Sequence, residues 1–492
     1  MGSGDWPGPL AAACRMAAGS SPFRPFGALP VAMSWLDSAL ARTVSDGLPP
    51  WVGPILRAFP SAEPMADGPL PTGLSAAIVA RLRGEIDGPQ AELFARRFEQ
   101  ASGLLATIEG PAAALLHRGL HFRMAEVLAG PTPAVLRVRA LVDFYVSQVA
   151  RLRHKGGPPL HALAAEVTYE SIAPDLRLAR IAGPSDHGPV HIHVLRGRPR
   201  IRCLDPRPHT DLAALCEAQG ALAGVSGGFF LHSEVDIVPP SRRTDPVGLL
   251  VTDGEVHGPP WFARGALVQT ADGLDVRVVQ PSEALLDGQP LRPFTRAHGE
   301  HGPDTLSRAL VGRQVVASGR RLRVPLSGGV VRGAGGSAPN WSMPAIQQAM
   351  GGGPMLLADQ GPCLDLVAED FAGSAPPVTF SQDETFDQNL LPRMAAGITS
   401  AGELVLAAVD GRNVDLAPGL TLRQTAGLMA SLGCVRAVNL DGGSSKRMVV
   451  RGRVVDRPST DVVVGGQGGG PVRPTHSAIL LWSAHPRGGR PA

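Results

Sequence analysis

Two short apolar runs that each end in an aspartate, with an amphipathic helix between them, constrain the fold of this 492-residue chain more than any other feature. The first run, residues 404–409, ends at Asp410, and the second, residues 435–440, ends at Asp441. Both runs are too short for helices and too apolar for exposed strands, so we expect buried strands. Strands joined through a helix run in the same direction, and Asp410 and Asp441 are therefore expected at one edge of a sheet, where open α/β sheets bind ligands.

The segment between these runs carries the signals of a capped helix. Thr421 and Gln424 form a capping-box pattern, Thr425 and Met429 fall on one helical face, and Gly433 ends the pattern. The sequence therefore predicts a strand–helix–strand unit.

Composition shifts divide the rest of the chain. Residues 1–70 are rich in Gly, Pro and Ala, and we expect them to be largely irregular apart from a short helix at residues 35–44. Residues 71–160 show helical periodicity interrupted by Gly-Pro breaks, which predicts three or four helices in a small bundle. Strand-like runs begin after residue 165, and we assign residues 166–483 to one domain. The predicted fold class is α+β, with a mixed sheet preceded by a helical bundle.

Charge and hydropathy exclude several classes of function. The net charge of +3, from 46 cations and 43 anions, provides no polycationic surface for nucleic acid. No apolar run approaches the ~18 residues of a membrane helix. The first residues lack the basic start of a secretory signal, so we expect a cytoplasmic protein, with export or envelope association as the alternative. The acidic residues between 369 and 387 are expected to lie in a solvated loop.

Cysteine and histidine spacing gives no sign of a metal or cofactor. The histidines of His191-x-His193 share one face of a predicted strand, a spacing that metal hydrolases also use, but no further acidic or histidine cluster follows at ligand spacing. We therefore expect two strand histidines, no metal and no cofactor. The cysteines contain no C-x-x-C pair and are expected to be buried apolar residues; they are Cys14, Cys203, Cys216, Cys363 and Cys434.

The residues that follow the second apolar run could bind an anion. Asp441 is followed by two glycines, two hydroxyl residues and Lys446, a combination able to form a nest of backbone N–H groups for phosphate. The alternative is an ordinary turn before a hairpin at residues 448–455. Arg393 and Arg473 each precede an apolar strand and are either phosphate clamps or surface ion-pair partners.

A G-x-S-x-G pattern around Ser226 matches the nucleophile elbow of serine hydrolases. That elbow needs a helix directly after the serine, whereas Phe229, Phe230 and the residues behind them lack helical character. We therefore expect that Ser226 is not a nucleophile.

In this order, the segments resemble the phosphodiester glycosidase family over residues 167–482. The resemblance rests on Gly227-Gly228-Phe229-Phe230, Gly351-Gly352-Gly353-Pro354, Pro392-Arg393, Val409-Asp410-Gly411, Gly419-Leu420-Thr421-Leu422 and residues 437–443. It implies an enzyme that hydrolyses a sugar-1-phosphate diester, acting on a phosphorylated glycan or exopolysaccharide.

The resemblance also implies roles for individual residues. Asp441 would stabilise the developing oxocarbenium ion, Asp410 would activate water or orient Asp441, and Arg393 would bind the phosphate as a third catalytic residue. Asp410 and Asp441 are then expected within about 10 Å of each other. The implied substrate-binding residues are Gly227, Gly228, Gly442, Gly443, Ser444, Ser445, Lys446 and Arg473.

Two other functions stay open at this point. The family's asparagine is replaced by Ser226 and its third glycine by Ser444, which favours a non-catalytic module that binds a phosphorylated glycan or phosphate while the helical bundle docks an unknown partner. The retained Arg393, Asp410 and Asp441 favour the enzyme. A serine hydrolase that uses Ser226 is the third candidate.

Overall fold

The computed structural model divides the chain into two compact units, Met1–His154 with Asp383–Leu390, and Lys155–Gln382 with Leu391–Ala492. The residues that it describes are 70, 72–85, 89–129, 135–154, 156–230, 246, 248–260, 263–286, 288–290, 314–317, 320–323, 341–359, 361–366, 368–369, 371, 389–463 and 472–484. The irregular segment and the short helix predicted before residue 70 lie outside these residues. The domain boundaries given above stay predictions.

The described part of the first unit is helical, as predicted. Each helix begins at or near a Gly-Pro or Gly-rich break, because proline fits the first turn of a helix. Phe94, Phe98 and Leu105 fall on one helical face and are all buried, since each is at most 1% exposed. The helices are α1 (Leu74–Glu85), α2 (Pro89–Ala106), α3 (Pro111–Ala129) and α4 (Val135–Arg153).

The second unit is built from short strands with three described helices, which confirms the α+β class. The helices are α5 (Leu160–Ala165), α6 (Leu212–Ala218) and α7 (Leu422–Ser431). The strands are β1 (Tyr169–Ala173), β2 (Leu176–Ser185), β3 (Gly188–Gly197), β4 (Arg200–Leu204), β5 (Ala223–Ser226), β6 (Leu250–Thr252), β7 (Glu255–Gly258), β8 (Arg264–Thr270), β9 (Gly273–Val279), β10 (Leu285–Leu286), β11 (Gln289–Pro290), β12 (Gln314–Ala317), β13 (Arg320–Arg323), β14 (Trp341–Ser342), β15 (Gln348–Gly351), β16 (Met355–Ala358), β17 (Gly361–Pro362), β18 (Arg393–Thr399), β19 (Leu404–Val409), β20 (Cys434–Leu440), β21 (Met448–Val450), β22 (Arg453–Val454) and β23 (Ala478–Trp482).

These strands form one large sheet and several smaller ones. The large sheet has the order β1-β2-β3-β19-β18-β20-β16-β17. Two five-stranded sheets have the orders β22-β21-β5-β23-β4 and β7-β6-β15-β8-β9, while β11-β10-β14 and β12-β13 form small separate sheets. The hairpin predicted at residues 448–455 is confirmed, because β21 pairs antiparallel with β22.

One apolar core joins the large sheet to the two five-stranded sheets. Leu406 and Val438 come from the large sheet, while Leu267 and Ile479 come from the two smaller ones, and all four belong to the same buried cluster. Helix α7 covers the other face of the large sheet, where it contacts β16, β18 and β20. Gly397 permits this close approach, because a Cβ there would lie 2.8 Å from Cε of Met429.

The predicted strand–helix–strand unit is present, with one strand between its two strands. Strand β18 pairs antiparallel with both β19 and β20, so β19 and β20 run in the same direction without being neighbours. The capping box of α7 is confirmed, because the Thr421 hydroxyl accepts from the Gln424 N–H at 3.1 Å and the Gln424 side chain accepts from the Thr421 N–H at 2.8 Å. The shared direction brings the ends of β19 and β20 to one edge of the sheet.

Three of the cysteines, Cys203, Cys216 and Cys434, are buried and Cys363 is partly buried, while Cys14 lies outside the described residues. Among the helices that the structure describes, none combines the length and the apolar character needed to cross a membrane.

Candidate active site

The ends of β19 and β20 and the start of β18 form the edge of the large sheet that carries the predicted carboxylates. Val409 lies opposite Arg393, and Leu440 lies opposite the next residue of β18. Two strand spacings separate β19 from β20, which places the backbones of Asp410 and Asp441 roughly 10 Å apart. The edge therefore brings both predicted carboxylate positions to either side of Arg393.

Backbone hydrogen bonds join three distant segments at this edge. The Asp441 N–H donates to the carbonyl of Gly227 at 3.0 Å, and the Gly443 N–H donates to the carbonyl of Pro392 at 2.9 Å. The Gly227 N–H in turn donates to the Ser477 carbonyl at 2.8 Å. The Gly-Gly turn after β5, the turn after β20 and the start of β18 are thus held together by backbone contacts.

Glycines are required where these segments touch. A Cβ on Gly442 would lie 2.4 Å from the carbonyl oxygen of Pro392, and one on Gly228 would lie 2.3 Å from the carbonyl oxygen of Gly351. Backbone atoms cannot move aside as the end of a side chain can, so neither position accepts a larger residue without a shift of the main chain. Gly443 has room for a Cβ, but its φ of 58° favours glycine.

Two buried guanidinium groups supply positive charge at the edge. The Arg393 Nε donates to the Leu420 carbonyl at 2.9 Å, which fixes the plane of the group. The Arg412 Nη1 donates to the Ser459 carbonyl at 2.8 Å, and both terminal nitrogens of Arg412 lie 3.6 Å from the position of a Cβ on Gly443. Arg412 is therefore a second cation beside the Gly-Gly turn.

Lys446, expected to contact substrate, is fully buried and lies in an ion-pair network instead. Its ammonium donates to Asp410 Oδ1, to Asp456 Oδ2 at 2.6 Å, and to the Arg457 carbonyl at 3.1 Å. Arg447 contacts the same Asp456 oxygen at 3.3 Å. Two carboxylates and two cations thus compensate each other's charge, which makes burial of all four groups tolerable.

The Asp410 carboxylate is held on both of its oxygens. Oδ1 accepts from Lys446 and from the Arg457 N–H at 3.1 Å, while Oδ2 contacts Nδ1 of His191. Burial alone would raise the pKa of this carboxyl, but Lys446 and His191 outweigh that effect and hold the pKa below its ordinary value. Asp410 is therefore ionised and fixed in place.

The two histidines of strand β3 lie beside Asp410. Strand β3 pairs with β19, and the rings of His191 and His193 are 4.8 Å apart, centroid to centroid. Burial, helped by the neighbouring His191, lowers the pKa of His193 to about 4, so its imidazole is neutral at pH 7. The side-chain nitrogens of both histidines and a carboxylate oxygen of Asp410 lie within 4.8 Å of one another. The sequence spacing did not reveal that Asp410 lies beside the two histidines.

Ser226 directly precedes the Gly227-Gly228 turn, whereas Arg473 is placed only by its nearness to His476. Ser226 ends strand β5, is buried, and its hydroxyl accepts from the Arg447 N–H at 3.1 Å. The residues directly after it, 227–230, are not helical. Arg473 precedes strand β23 and lies near His476, whose pKa is lowered to about 3 by burial and by the nearby His209 and Arg473.

The structure thus joins some of the predicted site residues directly. Asp441, Gly442, Gly443 and Gly227 contact one another's segments through the backbone, and Arg393 begins the strand between the two carboxylates. Ser444 and Ser445 belong to the one-turn 3₁₀ helix that follows Gly442. The sequence patterns did not indicate Arg412 or Asp456, whose partners come from other segments of the fold, and they gave no sign that His191 meets Asp410 through the pairing of β3 with β19.

The prediction that the acidic residues between 369 and 387 lie in a solvated loop is wrong for Glu369. Glu369, expected in a solvated loop, is buried and accepts from the N–H groups of Gly265 at 2.7 Å and Met355 at 2.6 Å. Burial raises the pKa of this carboxyl. Glu369 therefore ties two strands together, while the other acidic residues of the stretch, from Asp370 to Asp387, lie outside the described residues.

Comparison with known proteins identifies one family. The family model described as phosphodiester glycosidase matches residues 219–481, more than half of the chain. The SPbeta prophage-derived uncharacterized protein YomE of Bacillus subtilis (strain 168) is 38% identical over 71 residues, which are 14% of this chain and 11% of that protein. The chain thus matches only a small part of the length of this relative.

Two solved structures are similar to parts of the chain at low sequence identity. A hypothetical protein from Synechocystis has 19% identity and a TM-score of 0.43, and the match covers 64% of this chain and 63% of that chain. The catalytic domain of zebrafish N-acetylglucosamine-1-phosphodiester alpha-N-acetylglucosaminidase, auto-inhibited by its pro-peptide, has 16% identity and a TM-score of 0.40, and the match covers 67% of this chain and 94% of that chain.

Proposed function

The chain belongs to the phosphodiester glycosidase family, and on that premise we propose that it hydrolyses a sugar-1-phosphate diester at the anomeric carbon. Water adds to the anomeric carbon, the bond from that carbon to the phosphate oxygen breaks, and the products are a free sugar and a phosphomonoester. The substrate is the sugar-phosphate linkage of a phosphorylated glycan or exopolysaccharide.

One observation carries this proposal. Hydrogen bonds from Asp441 to Gly227 and from Gly443 to Pro392 draw together a carboxylate, two Gly-Gly turns and Arg393 from three segments far apart in sequence. The two glycines after Asp441 carry no side chain that would keep a ligand's phosphate away from the carboxylate and the cations. Arg393 and Arg412 supply the positive charge that such a ligand requires.

The chemistry of the leaving group decides which residues matter most. A phosphomonoester leaves readily, so the reaction needs cations on the phosphate and an anion beside the developing oxocarbenium ion more than it needs a strong general acid. Arg393, with Arg473, takes the first role and Asp441 takes the second.

We assign Asp410 to orienting the site in preference to activating water. Both of its oxygens are engaged, one by Lys446 and the Arg457 N–H and the other by His191. A carboxylate held in this way and kept ionised is a poor proton acceptor, but it fixes the end of β19 beside Arg393. Lys446 then stabilises the site indirectly, because its ammonium contacts Asp410 and Asp456.

The experiment is a turnover assay with UDP-N-acetylglucosamine and a panel of sugar-1-phosphate diesters. We expect Asp441→Asn to remove hydrolysis while diester binding persists, because the change removes a charge and little volume. Arg393→Ala should instead weaken binding, since an arginine–phosphate pair stabilises the bound ground state as well as the transition state.

The matched control is Asp272→Asn, which removes one charge from an exposed turn between β8 and β9 and should leave turnover unchanged. Unchanged turnover in Asp441→Asn would refute the role given to that carboxylate. Diester binding without turnover in the unmutated protein would replace the enzyme with the non-catalytic binding module, which the replacements at Ser226 and Ser444 favour.

A further inference from the structure

We propose that His191, His193 and Asp410 bind a transition-metal ion of the nitrogen-preferring class, with Zn²⁺ as the first candidate. The pairing of β3 with β19, which no local sequence pattern specifies, brings the Asp410 carboxylate next to His191 and His193, which lie two residues apart on the same face of β3. The proposal concerns metal binding and is independent of the hydrolysis proposed above.

The donor set selects the metal. Two imidazoles and one carboxylate suit Zn²⁺, Co²⁺, Ni²⁺ and Cu²⁺, whereas Mg²⁺ and Ca²⁺ prefer oxygen ligands alone. Three protein ligands leave a fourth position of a tetrahedral ion for water or an anion, as in open zinc sites and unlike closed structural ones. We therefore expect one ion with an exchangeable fourth ligand.

The burial and hydrogen bonding of His193 give a further reason to place a metal ion in this cluster. Its side chain is 94% buried, as its 6% exposure shows, and its Nδ1 has no hydrogen-bond partner among the described residues. An orphan nitrogen in a buried polar cluster costs free energy unless something binds it. A metal ion beside His191 and Asp410 would satisfy this nitrogen.

The ligand atoms are close to coordination distance. They lie within 4.8 Å of one another, whereas the ligands of a tetrahedral zinc ion are about 3.3 Å apart. The longest separation would have to shorten by roughly 1.5 Å, which rotation of a side chain supplies. His193 is suited to this movement, because no hydrogen bond holds its Nδ1.

Lys446 is compatible with an ion on the histidine side of Asp410. The ammonium contacts Oδ1, so Oδ2, which faces His191, is the oxygen available to a metal. Carboxylates that bind metals are commonly hydrogen-bonded on their other oxygen, and Lys446 would serve as that partner. Asp456, at 2.6 Å from the ammonium, compensates the positive charge of Lys446.

The test is titration of the metal-free full-length protein with Co²⁺ and Zn²⁺. We expect one equivalent of Co²⁺ to give the intense visible absorption of a tetrahedral site, Zn²⁺ to displace it, and Mg²⁺ and Ca²⁺ to have no effect. His193→Phe and His191→Phe should each weaken Zn²⁺ binding by at least 100-fold. His476→Phe, which removes a half-buried histidine of the same unit, is the control and should bind as the unmutated protein does.

A thermal melt of each variant without metal checks that it is folded, and Zn²⁺ should raise the melting temperature of the unmutated protein but not of His193→Phe. If a phenylalanine variant does not fold, X-ray absorption of the unmutated zinc complex decides instead, since the proposal requires two imidazoles in the first shell. Absence of one-to-one binding, a zinc shell without two imidazoles, or undiminished affinity in a folded His193→Phe would overturn the proposal. Binding without hydrolysis would leave it standing.

Discussion

At the scale of single residues, the role of the Lys446 side chain depends on the residues that surround it in the fold. Sequence reasoning expected its ammonium to contact substrate, because it follows the Gly-Gly turn directly. The chain turns at residues 443–445 and directs the side chain inward, where Asp410 and Asp456 surround the ammonium. A buried lysine between two carboxylates is part of the support of the site.

The first prediction is that Lys446→Met destabilises the protein strongly. Methionine fills a similar volume but leaves Asp410 without the ammonium and Asp456 with Arg447 as its remaining cation. Removing one partner from a buried ion pair typically costs about 3–5 kcal/mol. Urea unfolding measures the change. Arg423→Ala, which removes a cation from the exposed face of α7, is the control and should change the free energy of unfolding little. A loss below about 1 kcal/mol in Lys446→Met, the range of exposed ion pairs, would show that this pair network contributes little.

The second prediction separates the two glycines after Asp441. Gly442→Ala should disrupt the turn, because the new Cβ would meet the Pro392 carbonyl oxygen at 2.4 Å. Gly443→Ala meets no atom closer than 3.6 Å, so only its positive φ opposes the change, at a cost of about 1 kcal/mol. Urea unfolding should therefore rank Gly442→Ala as clearly less stable than Gly443→Ala. Equal stability of the two variants would contradict the close backbone contact.

Secondary-structure elements are the scale at which the sequence was most informative. Strands β19 and β20, helix α7 and the hairpin of β21 and β22 follow from apolar runs, a capping box and a turn, all of which are local patterns. The place of β18 between β19 and β20 depends on pairing between distant segments, which periodicity cannot reveal. Asp441, its glycines and Arg393 could be selected from motifs, whereas Arg412, Asp456 and the approach of His191 to Asp410 required the strand register.

The third prediction tests the cap of α7. Thr421→Ala removes the hydroxyl that accepts from the Gln424 N–H, and the loss of such a cap costs about 1 kcal/mol. Thr421→Ser should retain most of the stability, because serine supplies the same acceptor. A melt in which Thr421→Ala matches the unmutated protein would show that the cap is not needed to hold the helix against the sheet.

At the scale of the whole molecule, buried neutral histidines make stability depend on pH. Burial lowers the pKa of His121 in the first unit and of His193 in the second, each to about 4. Since the unfolded chain binds protons at about pH 6.5, these histidines contribute stability that is complete above that pH and is lost as pH falls toward 4. Each unit is therefore expected to be less stable in mild acid than at neutral pH.

The fourth prediction follows for His121, whose Nε2 lies 2.6 Å from the Ser75 hydroxyl. Its pKa shift corresponds to a loss of roughly 3 kcal/mol between pH 6.5 and pH 4. His121→Gln keeps a polar partner for the serine but does not titrate, so its unfolding free energy should fall less steeply with acid. His161→Gln changes an exposed histidine and serves as the control. Parallel pH profiles for His121→Gln and the unmutated protein would refute this origin of acid sensitivity.

The central claim is that the protein cleaves the bond between the anomeric carbon and the phosphate oxygen. Isotope labelling of the products tests this claim most directly. Hydrolysis of a sugar-1-phosphate diester in water enriched in oxygen-18, followed by mass spectrometry of both products, shows which bond breaks. The account predicts that the label enters the released sugar and that the phosphomonoester carries none. Label in the phosphate would mean attack at phosphorus, and that result would contradict the account.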